Sequence, residues 1–443
     1  MKKKIAHFGA FNHNSYGDLL FPHIVENFIP EFDFVHVAPS SDHSGWSDQK
    51  PIISTSKAFS MKTWDGILVG GGDIVHSYEG FIWNDTLSKK FGGLISLWGG
   101  ASILSGKLGI PCAWNSPGVP FNIEGNQRAI WKDALNCVDY LSIRDDFSLG
   151  NLKSGSSFKP VVSPDSALLV SDMWRIEEGI EDYVTLSITS RDFNERSEQI
   201  DALLSSLRST SKFGSSKFII LPLMAWNDVS SDLRGKIVDK YEIIDLTKSM
   251  NIEKCARLIG GASLHIGNSL HGLITAVSYQ TPSILVKPLG FEHVYKYEGF
   301  QSHFEGSEFI ASSYDDAFLL AMDGVIVDTN EKKKEVLASF DSIKETFDKA
   351  SSAASKTKIW TSLRSETIKA NEEFLLSGLN IWGLLSDLQE NKDQLTFEAA
   401  QMQAGLSNRD QTISEITEQV ASRDQSISEI TEQVASRDQS ISE

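Results

Sequence analysis

Along most of the chain, short apolar runs give way to a glycine-rich or polar turn and then to a stretch with helical spacing. The run at residues 5–10 ends at Phe11-Asn12-His13-Asn14-Ser15-Tyr16-Gly17-Asp18, and residues 19–28 follow with helical periodicity. Residues 32–37 predict a second strand. Residues 66–69 run into Gly70-Gly71-Gly72-Asp73, a helix is predicted over 91–108, and a strand follows at 111–114. Residues 140–143 then run into Arg144-Asp145-Asp146. Short apolar strands alternating with helices predict a parallel sheet covered on both faces.

Pro164-Asp165-Ser166-Ala167 reads as a turn, and the pattern restarts beyond it. Strands are predicted at 184–188, 218–223, 241–246, 263–266 and 283–286, with helices over 251–260 and 271–279. Two α/β stretches of similar length predict two Rossmann-like domains, residues 1–175 and 176–330, in a GT-B-like arrangement. The loops at the carboxyl ends of their strands would then face one another across a gap.

Beyond residue 330 the composition shifts to Lys, Glu, Ser and Ala, predicting a helical extension over 331–400 and a heptad-repeat coiled coil over 401–443. The fourteen residues NRDQTISEITEQVA at 408–421 recur almost unchanged at 422–435, and fourteen is two heptads. Leu406, Ile413, Val420, Ile427, Val434 and Ile441 take a positions, with Ile416 and Ile430 at d. Arg409, Arg423 and Arg437 occupy the remaining d positions and weaken a dimer seam. The seam offers itself to a second copy or a partner helix; a solvated spacer helix is the plainer reading.

Composition narrows the function. The formal charge of −18 argues against a nucleic-acid groove, which needs clustered cations, but leaves room for one local anion pocket. The three cysteines, Cys112, Cys137 and Cys255, are too few and too scattered for a disulfide framework or a zinc site, which fits a reducing compartment. Lys2-Lys3-Lys4 resembles the start of a signal peptide, but the apolar run stops at His13, too early for its hydrophobic region. No stretch approaches the roughly 18 apolar residues of a membrane span. A soluble, cytoplasmic protein is expected.

The candidate chemistry sits at strand ends. Gly71 and Gly72 could bring backbone N–H groups up to an anion, or simply make a tight turn. His271, in Asn268-Ser269-Leu270-His271, opens a helix whose positive end would keep the imidazole neutral, as a proton donor or acceptor; local packing is the plainer role. Arg144 could grip a carboxylate or phosphate with two nitrogens, or pair with its acidic neighbours; Arg191 and Lys287 share that ambiguity. No metal-hydrolase, nucleophile-elbow or cysteine motif is present.

In order, these segments resemble the polysaccharide pyruvyl transferase family. Ser15-Tyr16-Gly17-Asp18 is similar to its N-x-G-D turn, and Gly70-Gly71-Gly72 to its G-G-G loop. Pro111 to Pro120 matches its proline-glycine segment, Ser142-Ile143-Arg144-Asp145-Asp146-Phe147-Ser148 its S-x-R-D block, and Pro164-Asp165 its P-D. His271 to Ala276, followed by Pro282, matches its histidine block. The resemblance implies transfer of a pyruvyl group from phosphoenolpyruvate, without cofactor or metal, to sugar hydroxyls of a cell-surface polysaccharide or its precursor. It further implies that Arg144 binds the donor and that His271 moves a proton or binds the donor. Asp18, Gly71, Gly72, Asn268 and Ser269, in or beside the matching segments, are expected to bind substrate. Ser269 stands where the family usually has Arg, and Lys287 is the expected substitute cation. Alternative readings are a GT-B-type glycosyltransferase using a nucleotide-sugar, with Glu292 or Glu298 on the ribose, and a non-catalytic scaffold.

Overall fold

The computed structural model describes residues 2–76, 94–122, 127–152, 160–176, 182–221, 223, 237–245, 251–289 and 295–349. The coiled coil expected over 401–443, the extension beyond 349 and Glu292 lie outside them.

The apolar runs form two parallel sheets. The first contains β1 (Lys4–Phe8), β2 (Asp33–Ala38), β3 (Ile52–Ser54), β4 (Gly66–Gly70), β5 (Cys112–Asn115), β6 (Tyr140–Ile143) and β7 (Val161–Val162), in the order β3-β2-β1-β4-β5-β6-β7. The second contains β8 (Tyr183–Ser187), β9 (Lys217–Ile220), β10 (Ile244–Asp245), β11 (Leu264–Gly267), β12 (Ser283–Val286) and β13 (Ile310–Ala311), in the order β10-β9-β8-β11-β12-β13. Both orders reverse beside the first strand of the sheet, between β1 and β4 and between β8 and β11. Loops leaving neighbouring strands diverge at such a point and open a crevice.

Five helices bear on the site: α1 (Tyr16–Phe28), α2 (Ile252–Gly260), α3 (Leu270–Ser278), α4 (Tyr295–Gln301) and α5 (Asn330–Asp348). The helix predicted over 91–108 begins, among the described residues, as a π-helical turn at Ser96–Gly100 and continues as an α-helix at Ala101–Leu108. That turn sets Trp98 against Trp114 and Trp131, with ring centroids 5.3–6.3 Å apart and all three indoles buried. Edge-to-face packing of such rings anchors one face of the first sheet.

The two halves are pinned together within one compact unit. Leu20 and Ile24 of α1 share a continuous apolar core with Cys255 and Ile259 of α2 and with Leu273 and Val277 of α3. Polar contacts fix the docking. The Tyr16 and Thr275 hydroxyls share a 2.9 Å hydrogen bond, and Asp48 accepts from the Ile252 and Glu253 amides at 2.8 and 3.0 Å, capping α2 from the other half. The chain finally returns to the first half through α5. Val336, Phe340, Ile343 and Phe347 line one face of that helix and are buried, with Phe28 stacked on Phe340 and Phe32 edge-on to Phe347. The Lys3 ammonium donates to the Phe347 carbonyl at 2.6 Å, so the basic lead-in fastens the returning helix.

Candidate active site

The first crevice is built around glycines. Gly71 and Gly72 both have positive φ, +79° and +75°, a conformation costly for side-chain-bearing residues. Space forbids side chains as well. A Cβ on Gly71 would lie 2.2 Å from the Phe21 ring, and one on Gly72 would lie 2.9 Å from Asp18 Oδ1. The Gly71 amide does not wait for an anion, as the sequence reading allowed; it donates to the Asn115 carbonyl at 3.1 Å. Asp18, in the first turn of α1, sits 3.4 Å from His13 Nδ1.

The turn that follows carries Asp73, whose Oδ1 accepts from Arg144 Nη2 at 2.5 Å. Arg144 leaves the end of β6 with only 2% of its side chain exposed. Its Nε donates to Asp145 Oδ2 at 3.3 Å, and its Nη1 lies 3.7 Å from Asp165 Oδ2. Burial works against the guanidinium's charge, but Asp73, Asp145 and Asp165 outweigh it and hold its pKa above the ordinary value. Burial likewise opposes ionisation of Asp73, and the charges of Arg144 and Lys296 overcome it, so the carboxyl titrates below its usual range. Gly118 makes this pair possible, since a Cβ there would fall 2.1 Å from Asp73 Oδ1 and 2.7 Å from Arg144 Nη2.

Asp165 was expected in a turn and instead caps a short 3₁₀ helix, Ser166–Leu169, by accepting the Ala167 amide at 3.0 Å. Its other oxygen, Oδ2, stands 3.5 Å from His271 Nε2. Burial raises the Asp165 pKa, but His271, Arg144 and the Ala167 amide together lower it below the usual carboxylate value. One buried carboxylate oxygen therefore faces the Arg144 guanidinium of the first half and the His271 imidazole of the second. The two side chains lie within the span of one small ligand.

His271 occupies the first turn of α3. The Phe21 ring meets it edge-on at 5.5 Å, and a Cβ on Gly17 would fall 1.9 Å from its Nδ1. The glycine of one motif is thus the space that the histidine of another fills. Ser269, read as the loss of a guanidinium, is the N-cap of α3 and accepts the Gly272 amide at 3.2 Å. Asn268 is fully committed to the scaffold. Its Oδ1 accepts the Thr189 amide, and its Nδ2 donates to Asp192 and to the Val286 carbonyl, each at 2.9 Å.

Lys287 pairs with Glu298 at 3.3 Å, and no ion pair among the described residues joins it to Asp73, Asp145 or Asp165. The cation that acts on the cluster is Lys296 of α4, whose charge lowers the pKa of Asp73. Arg191 forms an exposed pair with Glu195 at 3.0 Å. The structure thus unites Asp18, Gly71, Gly72, Arg144 and His271, engages Asn268 and Ser269 in scaffold hydrogen bonds and Lys287 with Glu298, and adds Asp73, Asp165, Gly17, Gly118 and Lys296. The sequence signal for the two aspartates was their place beside motif glycines and proline.

The family model for polysaccharide pyruvyl transferase matches residues 16–288. No curated protein matches the chain in sequence. Among solved structures, the UDP-GlcNAc 2-epimerase of Methanocaldococcus jannaschii is similar at 12% identity and a TM-score of 0.50, over 78% of this chain and 100% of that one. A UDP-N-acetylglucosamine 2-epimerase, described as putative, from Listeria monocytogenes is 12% identical with a TM-score of 0.47, over 76% and 91% of the two chains. At that identity the first likeness is one of fold alone, the two-domain GT-B arrangement.

Proposed function

This chain belongs to the polysaccharide pyruvyl transferase family, and from that premise we propose that it moves a pyruvyl group from phosphoenolpyruvate onto two hydroxyls of a sugar. The sugar is part of a cell-surface polysaccharide or its precursor, and the product is a pyruvate ketal. The observation that carries the reading is the meeting of Arg144 and His271, from opposite halves, at Asp165 Oδ2.

The donor needs three services. Its carboxylate must be held, which a buried guanidinium does through a charge-assisted hydrogen bond. Its methylene carbon must receive a proton, which makes C2 electrophilic. Its phosphate must leave with its charge stabilised, a task for a nearby ammonium such as Lys296. In the proposed sequence His271 gives a proton to C3 while the first sugar hydroxyl adds to C2. The C2–O bond to phosphate then breaks, and phosphate departs with the proton of that hydroxyl. The second hydroxyl closes the ketal at C2 and returns a proton to His271. Asp165 is the positioning residue, because its Oδ2 stands 3.5 Å from Nε2 and sets the orientation of the ring. Cytoplasmic action is in keeping with the buried, unbridged cysteines.

The test is phosphate release by the full chain incubated with phosphoenolpyruvate and an oligosaccharide. Release should depend on the acceptor and fall by roughly 10²–10⁴ in His271→Ala. Turnover seen only with a nucleotide-sugar donor would replace this reading with glycosyl transfer.

A further inference from the structure

Every nitrogen of Arg144 already faces a carboxylate: Nε faces Asp145 at 3.3 Å, Nη1 faces Asp165 at 3.7 Å and Nη2 faces Asp73 at 2.5 Å. With 2% of the side chain exposed, the guanidinium has no open face to offer. An incoming carboxylate must therefore take the place of one already there.

The three are not equally replaceable. Asp145 is buried, its Oδ1 caps the helix Asp146–Asn151 through the Ser148 amide at 2.7 Å, and Gly299 packs so closely that a Cβ would lie 2.7 Å from Oδ2. Asp165 is buried and divided between the Ala167 amide and His271. Asp73 is 30% exposed and follows two glycines of positive φ. We infer that Asp73 is a resident competitor for the donor's carboxylate: it occupies Arg144 Nη2 in the empty site and is displaced by the donor, which sets the minimum anionic character a ligand must bring. This rests on the pyruvyl-transfer reading of the same site.

The exchange makes physical sense. A buried donor nitrogen left without a partner is costly, so Asp73 occupies Nη2, which Asp145 and Asp165 do not reach, until the donor arrives. Exchanging one carboxylate for another gains little in itself. A ligand with a single carboxylate therefore binds poorly, whereas one with a second anionic group gains from the charge of Lys296 once Asp73 has moved. Asp73 penalises all carboxylates by a similar factor and leaves only doubly anionic ones with useful affinity.

Calorimetric titration of the full chain with phosphoenolpyruvate, and separately with pyruvate, tests this. Asp73→Asn and Asp73→Ala should each tighten both ligands on the order of tenfold, while Arg144 stays compensated by Asp145 and Asp165. Glu298→Gln removes the same charge nearby without freeing a guanidinium nitrogen, and should change affinity far less. If phosphoenolpyruvate binds the wild type but no more tightly to the Asp73 variants, or if Glu298→Gln tightens it equally, the inference is overturned and the functional reading stands. If phosphoenolpyruvate binds neither the wild type nor the variants, the functional reading falls and takes the inference with it.

Discussion

After β4 the chain runs Gly70-Gly71-Gly72-Asp73; after β11, the strand at the equivalent place in the second sheet, it runs Gly267-Asn268-Ser269-Leu270. Both loops border a switch-point crevice, and the two crevices are filled in opposite ways. In the second, Asp192 is completely buried and takes hydrogen bonds from Asn268, from the Tyr314 hydroxyl at 3.0 Å and from the Leu289 amide at 3.2 Å. That network uses every polar atom of the Asn268 side chain. In the first, a single guanidinium is shared among three carboxylates, one of them partly exposed. The same strand order has produced a closed polar staple in one half and an exchangeable charge cluster in the other. The second half reaches the first half's crevice through the start of α3, which carries His271 to Asp165 and Gly17.

The largest effect is expected where the halves are alike, in their buried histidines. Burial drives the pKa of His7 in the first sheet well down, with the charge of His36 adding to it, and burial alone takes His265 in the second down to about 3. Each is neutral when folded and gains a proton on unfolding below the ordinary value near 6.5. The unfolded chain then binds more protons, so the stability they lend is full above about pH 6.5 and is lost as pH falls towards the folded values. Circular dichroism should show acid unfolding across that window. Equal stability at pH 4.5 and 7 would contradict the burial of both.

Replacing Arg144 with Met acts on the first half's cluster alone. It leaves Asp73, Asp145 and Asp165 uncompensated, and urea unfolding should register a loss of about 3–5 kcal/mol. A loss below about 1 kcal/mol would mean that the cluster behaves like a solvated surface pair. Gly17→Ala should leave the fold in place but push the imidazole aside, lowering phosphoenolpyruvate-dependent phosphate release on the order of 100-fold. An unaffected rate would show that His271 can do without its seat against α1. Asn268→Ala is the mildest of the set. It breaks the second staple and should cost about 1–3 kcal/mol of stability, with phosphate release changing only a few-fold.

Much of the scaffold was legible because strands buried on both faces are near-continuous apolar runs, and β1, β4, β5, β6, β8 and β12 are mostly apolar, with only isolated polar residues such as His7, Ser142 and Thr185. The strands missed, β3, β7 and β13, are two or three residues long, and Val161 of β7 is 48% exposed, so no apolar run marked them. The spacing of Val336, Phe340, Ile343 and Phe347 announces a helix but cannot say which sheet receives it. At the site, Arg144 and His271 were readable at strand ends. Asp73 and Asp165 stood beside motif residues, but their pairing with Arg144 was not readable, because an ion pair such as Asp73–Arg144, spanning 71 residues, leaves no local periodicity. Ser269 misled in a different way: read against an arginine it was a missing charge, whereas the backbone at that point needs a helix cap.

The most direct test of the account is a crystal structure of the chain with phosphoenolpyruvate. The donor's carboxylate should lie on Arg144 Nη2 in place of Asp73, with its methylene carbon turned towards His271. A donor bound elsewhere, with the Asp73–Arg144 pair intact and the space before His271 empty, would contradict the convergence of the two halves on one ligand.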